Sequence, residues 1–204
     1  MTTFLGIDLG TSNCALATAG PEGAPTLEPV TQVVTPHSIG ELDLLPSAVY
    51  LPAEGEAGES TAVLPWAATL STGLLGRHAR ERGALQPDRL ILSAKSWLCH
   101  PHVDRRGPLL PWGSTVVTQK WSPLEVSRQL LTHLLASQRQ RRPDQVFSAA
   151  TTVVTVPASF DEAARALTLE AAAQAGLGEI TLLEEPQAAF YAWLEGQGTA
   201  WRSQ

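Results

Sequence analysis

From Ser122 onward the chain alternates between helix-period and strand-period stretches, and that alternation narrows the folds open to it. "SPLEVSRQLLTHLLASQRQ" has Ser122 at an N-cap position, Pro123 at the first helical position and Glu125 where a capping box needs its acid. Leu124, Val126, Leu130, Leu131, Leu134 and Leu135 then recur at helical spacing. Thr151 to Val156 is a β-branched run stopped by Pro157, which predicts a strand. "DEAARALTLEAAAQAGL" predicts a helix capped by Asp161, with Gly176 near its end. "EITLLEEP" predicts a short strand, and "PQAAFYAWLEG" a last helix with Pro186 near its first turn. At the other end, Phe4–Leu9 and Cys14–Ala19 are apolar runs separated by Gly10, Thr11, Ser12 and Asn13, a hairpin signal. A hairpin followed by βα alternation implies a mixed sheet with helices packed on it, and so an α/β fold.

The stretch between is less regular. Thr26 to Val34 predicts a strand after a turn marked by Pro21, Gly23 and Pro25. Leu44 to Ser60 predicts a short strand and then an acidic, Gly-rich loop extending into solvent. Residues 61–92 hold a strand candidate and a short helix, "GRHARERGALQPDRLI", whose Arg80, Glu81 and Arg82 read as a solvated face. Arg105 to Ser114 is broken by prolines and reads as a loop beside a short strand.

The hairpin turn carries the clearest chemistry. A glycine in a turn lets successive N–H groups converge on one point, and such a concavity holds phosphate. Thr11 and Ser12 would add hydroxyl donors, while Asp8 places a carboxylate beside the anion. A carboxylate next to phosphate is repulsive unless a cation such as Mg²⁺ lies between them.

Composition excludes several classes. A 204-residue chain, 44% hydrophobic and 17% charged, can bury a real core as one domain or two subdomains. A net charge of −6 argues against a general nucleic-acid binder. The basic run Arg139 to Arg142 ends a predicted helix, where positive charge complements the dipole, and reads as a solvated helix end. Cys14 and Cys99 make no disulfide framework, and Cys99, His100 and His102 in "CHPH" are too few for a metal site. No signal-like leader and no apolar run of membrane-spanning length is visible, so a reduced cytoplasmic setting without membrane contact is expected.

Four segments, in order and spacing, resemble the Hsp70 (DnaK) chaperone family's nucleotide-binding domain. "GIDLGTSNCALA" is similar to its phosphate-1 hairpin, "VVTVPASFDEAARALTLEAAAQAGL" to its VPA-x-F strand and following helix, and "LLEEPQAAFYAWL" to its EPxAA segment. "SAKSWL" falls where the family has its "AKR" lysine. The order of elements fits one ribonuclease-H-like (actin-like ATPase) lobe with mixed sheet, flanking helices and an inserted small subdomain, although periodicity alone does not select it. The resemblance implies a lobe at 1–45 and 121–197, an inserted subdomain at 46–120 and a tail at 198–204. It further implies ATP or ADP with Mg²⁺ as ligand, Asp8 meeting Mg²⁺ through water, and Gly10, Thr11, Ser12 and Asn13 holding phosphate. Lys95 and Glu185 would act at the γ-phosphate and the attacking water, and Pro157 and Arg165 would relay nucleotide state to a peptide-binding domain. Lys95 is one of two lysines among fourteen basic residues, so its retention suggests a compact point charge was needed.

The departures are specific. Gln187 stands where a threonine is usual, Leu169 where many members carry a lysine, and Ser96 replaces the arginine after the lysine; Leu98 to Trp121 is short and proline-rich. No Gly-Gly pair exists anywhere, so the family's second phosphate loop, the second lobe and the peptide-binding domain are not in this sequence. Three readings follow. The chain is the first half of an Hsp70-like nucleotide-binding domain, weak or inactive as an ATPase alone. It is a non-hydrolytic protein-binding module built on such a half. Or it is another member of the actin-like superfamily, which the VPA-x-F and EPxAA segments disfavour. Its partners would be nucleotide, its missing lobe or another protein, and self-association through the uncovered cleft face.

Overall fold

Alternation along Phe4–Leu9 (β1) sets up the central layer: Leu5, Ile7 and Leu9 are buried on one face, while Gly6 and Asp8 occupy the other. This computed structural model describes residues 3–21, 23–56, 62–67, 73–145, 147 and 151–198. Asn13–Ala19 (β2) returns antiparallel to β1, with Leu9 opposite Cys14 and Asp8 opposite Ala15. Thr152–Val156 (β10) lies parallel to β1 on its other side, with Asp8 opposite Thr155, and Thr181–Glu184 (β11) lies parallel to β10. Thr26–Leu27 (β3) completes a mixed sheet in the order β11-β10-β1-β2-β3, and Leu45–Pro46 (β6) also pairs with β2.

One face of this sheet is covered by Pro123–Arg141 (α3) and Glu162–Gln174 (α4). Leu130, Leu131 and Leu134 of α3 and Leu167 and Ala171 of α4 join Leu5, Ile7, Val154 and Val156 in one core. Both helices start as their sequences require: Ser122 Oγ accepts from the Glu125 N–H, and Asp161 Oδ1 from the Ala164 N–H. Against the opposite face lies Glu185–Gln197 (α5), leaving a wide groove over Gly6, Ala15, Ala17 and Thr155. No residue of α5 is buried, and Phe190, Tyr191 and Trp193 are each at least half exposed.

Between β3 and α3 the chain builds smaller units. Val30–Thr35 (β4) and Ser38–Leu42 (β5) form a two-stranded hairpin. Ala48–Tyr50 (β7) is flanked by Leu74–Leu75 (β8) and Leu90–Leu92 (β9), and Arg77–Leu85 (α1) packs Ala79 on Ala48 and Tyr50. Ala94–Trp97 (α2) follows β9. No helix among the described residues is long and apolar enough to cross a membrane.

Four local expectations change. The single strand expected over Thr26–Val34 is two strands in different sheets, because Pro29 has no N–H to continue the ladder. The Arg139–Arg142 run is not a simply solvated helix end. Arg141 pairs with Glu41 and Glu28 and Arg142 with Glu28, so α3 is tied to the segment that follows β3. Arg82 leaves the solvated face to donate to Glu56, whose Oε1 also accepts from Tyr50. Glu56, expected in a solvent-extended loop, is thereby folded back. The rest of that loop, residues 57–60, and the expected tail beyond Gly198 lie outside the described residues.

Gln32 shows how the hairpin and α1 are joined. It is fully buried; its Nε2 donates to the Leu44 carbonyl at 3.0 Å and its Oε1 accepts the Arg77 N–H at 3.0 Å. The α1 N-cap, Gly76, has no side chain to do this. Gln32→Leu is expected to lower stability by about 2 kcal/mol in urea unfolding, since it leaves a buried carbonyl and a helix N–H without partners.

Candidate functional site

The β1–β2 turn is shaped by close backbone approach. A Cβ on Gly10 would lie 2.1 Å from the Asn13 carbonyl oxygen, so only glycine fits. Beside the turn, the exposed Asp8 carboxylate accepts at Oδ1 from the Thr155 hydroxyl at 2.8 Å, the residue opposite it across the parallel β1–β10 pair. One carboxylate oxygen is thus occupied from the strand side.

Lys95 arrives from another unit. Ser93, at φ 53, takes a left-handed turn out of β9 into α2. Lys95 is 5% exposed and its Nζ donates to Glu185 Oε1, across 90 residues of sequence. Glu185 opens α5, where an acidic side chain suits the positive end of the helix dipole. Asp8, Gly10, Thr11, Ser12, Asn13 and Glu185 line one open cleft of about 430 Å³, with Lys95 held behind Glu185.

Arg165 and Pro157 are not in the cleft lining. Arg165 Nη2 donates to Glu184 Oε1 at 2.7 Å and its Nε to the Phe160 carbonyl at 3.3 Å. Pro157 ends β10, and its carbonyl accepts from the Phe160 N–H at 3.1 Å. The neighbours Glu184 and Glu185 therefore each hold a cation, one from α4 and one from α2.

Two residues escaped the sequence reading. Thr155 bonds Asp8 across the β1–β10 pairing, a register that no local signal in the predicted strand gives. Ser47 lies beneath the turn: its hydroxyl donates to the Gly10 carbonyl at 2.7 Å and its N–H to the Ser12 carbonyl at 2.9 Å. Nothing local in "LLPSAVY" announces that contact.

The donors suit a hard cation bridged to phosphate. Carboxylates and hydroxyls are oxygen ligands, and Mg²⁺ keeps several waters rather than filling an all-protein cage. Among the described residues no group of three His, Cys, Asp or Glu side chains is placed to hold a metal ion.

Comparison with known proteins finds a family match over three of the four motifs. The family described as "Hsp70 protein" matches residues 74–194, more than half the chain and the part holding Lys95, Pro157, Arg165 and Glu185. The chain is 32% identical over 203 residues to the chaperone protein HscA homolog of Mannheimia succiniciproducens, covering 93% of this chain and 28% of that protein. The HscA homologs of Azotobacter vinelandii and Pseudoalteromonas atlantica are 34% and 32% identical at the same coverage. The chain thus spans 28% of the length of these curated relatives. With its motifs in family order and its sequence identity near one third, the chain belongs to the Hsp70 family as a divergent member.

Proposed function

We propose that this chain forms one wall of the Mg-ATP site of an Hsp70-type chaperone, a cytoplasmic protein whose second lobe and peptide-binding domain complete the machine. The observation that carries the reading is the cleft where Asp8, the Gly10–Asn13 turn and Glu185 meet, with Lys95 paired to Glu185. The larger unit, 1–45 and 121–197, is read as a ribonuclease-H-like lobe. Its support is the order β11-β10-β1-β2-β3, with β10 and β11 parallel to β1 and β2 antiparallel. The β7–β8–β9 sheet and α1 support reading 46–120 as an inserted subdomain.

Phosphoryl transfer to water asks a protein for positioning and charge neutralisation. The turn's N–H groups and the Thr11 and Ser12 hydroxyls bind phosphate oxygens. Asp8, fixed by Thr155, would help hold Mg²⁺, which would supply charge neutralisation at the phosphates. Glu185 orients the attacking water, and Lys95, paired to it from behind, supplies one positive charge to that carboxylate and to the phosphates beyond it. Arg165, through Glu184, connects α4 to the segment that positions Glu185, which suits a relay together with Pro157. Nucleotide lying on one wall keeps much of its surface in water, so binding by this chain alone is weak, at about millimolar affinity, or roughly −4 kcal/mol. Hydrolysis by the chain alone is negligible, since water is not excluded.

A second reading, a non-hydrolytic module that docks onto another protein, is favoured by the exposed Phe190, Tyr191 and Trp193 on α5. Equilibrium dialysis with ATP separates the two. The nucleotide reading expects binding in millimolar Mg²⁺ that weakens at least tenfold when EDTA replaces it. Equal binding in both conditions, or none in either, rejects it.

A further inference from the structure

Ser47 lies between β6 and β7, 37 positions from Gly10, and is 4% exposed. Its two hydrogen bonds engage two carbonyls of the phosphate turn, those of Gly10 and Ser12. A serine hydroxyl has one proton to give. With that proton on the Gly10 carbonyl, the 3.2 Å contact between Cys14 Sγ and Ser47 Oγ needs the thiol as donor. Cys14 is fully buried, and burial pushes its thiol up to about 11, so it retains the proton. Donation therefore runs from the Cys14 thiol to the Ser47 hydroxyl to the Gly10 carbonyl.

The direction of those carbonyls fixes the other half of each peptide. Gly10–Thr11 and Ser12–Asn13 are trans, as the one cis bond among the described residues is Leu110–Pro111. In a planar trans peptide, the carbonyl and the following N–H point opposite ways. Carbonyls directed at buried Ser47 turn the Thr11 and Asn13 N–H groups away from it, and Thr11 and Asn13 both line the open cleft. Two N–H groups presented on one side of a turn make an anion-binding concavity. A flipped peptide would put a carbonyl dipole there instead and repel phosphate.

We propose that Ser47 is the positioning residue that commits the turn to its anion-binding orientation, with the Cys14 thiol holding the Ser47 hydroxyl in place. The identity of the anion rests on the nucleotide reading above; the orientation of the turn does not.

The test uses ¹⁵N-labelled full chain, with Mg-ATP and Mg-tripolyphosphate as probes. In the wild type, the Thr11 and Asn13 amides should shift most among residues 8–13. Ser47→Ala removes the bond to the Gly10 carbonyl and keeps the backbone N–H on the Ser12 carbonyl. It should therefore change the Thr11 backbone coupling before any probe is added, leave the Asn13 coupling near its wild-type value, and weaken both probes roughly 3- to 10-fold, the worth of one hydrogen bond. Ser47→Thr, which keeps the hydroxyl, should restore both readings. Should the added methyl prevent folding, Cys14→Ser against Cys14→Ala gives the same contrast, with Ser preserving the donor and Ala moving the Thr11 amide. A Ser47→Ala protein with unchanged couplings and affinity overturns the proposal. If the wild type binds neither probe while Ser47→Ala still alters the Thr11 coupling, the nucleotide reading fails and the positioning role stands.

Discussion

Gly10→Ala should abolish phosphate binding and cost about 3 kcal/mol of stability, near the upper end for overpacking in a well-packed site. The added Cβ would sit 2.1 Å from the Asn13 carbonyl oxygen, which is backbone and cannot rotate aside. Asn13 is also the first residue of β2 and faces Pro46 of β6, so moving it disturbs two strand pairs. The turn must open, and the N–H groups proposed to hold phosphate separate. Urea unfolding and a phosphate titration of the same variant measure both effects. Wild-type stability with intact binding would mean that the turn is not the close-packed element described here.

His133 makes the fold acid-sensitive in a defined window. It lies in α3 at 5% exposure, with Nε2 2.9 Å from the Thr31 carbonyl and the edge of Trp66 against its ring. A carbonyl accepts, so Nε2 carries the proton of a neutral imidazole. Burial pushes the ring's pKa down to about 4. The unfolded chain takes up a proton near pH 6.5, before the folded one does, so folding is favoured fully above that value. As pH falls from 6.5 to 4, stability should drop by about 3 kcal/mol, at ~1.4 kcal/mol per unit. His78, held below its ordinary value by burial, acts in the same direction. Asp161 is held down to about 2 by Arg105 and the Ala164 N–H, so its contribution is present above the usual carboxylate range and is lost as pH falls toward 2. Urea midpoints at pH 7 and 4.5 should differ strongly in the wild type and much less in His133→Gln, which keeps a donor for Thr31. The same slope in both proteins would remove His133 as the cause.

Local signals in the sequence account for the elements that local physics controls. The caps at Ser122 and Asp161, the apolar spacing of α3 and the β-branched run of β10 are each written within a few residues. The β1–β2 turn was equally legible as a hairpin connection, since Gly10 to Asn13 lie between two apolar runs. What was not legible depends on distant pairings. Pro29 divides one expected strand between two sheets, and which sheets these are is decided by β2 and β5. The basic end of α3 looks solvated until Glu28 and Glu41 are brought to it. In the cleft, Asp8 and the turn could be named from sequence, but Thr155 and Ser47 could not, because each acts across a strand pairing. The Lys95–Glu185 pair joins residues that the resemblance names separately, and only the fold sets them in contact.

The most direct measurement is a calorimetric titration of Mg-ATP into the wild-type chain and into Asp8→Ala and Lys95→Ala. The expected result is weak binding, with Kd at about the millimolar level, that both substitutions weaken further. Binding that is unchanged in both variants, or a wild type that takes up no Mg-ATP, would contradict the assignment of this cleft to nucleotide phosphates.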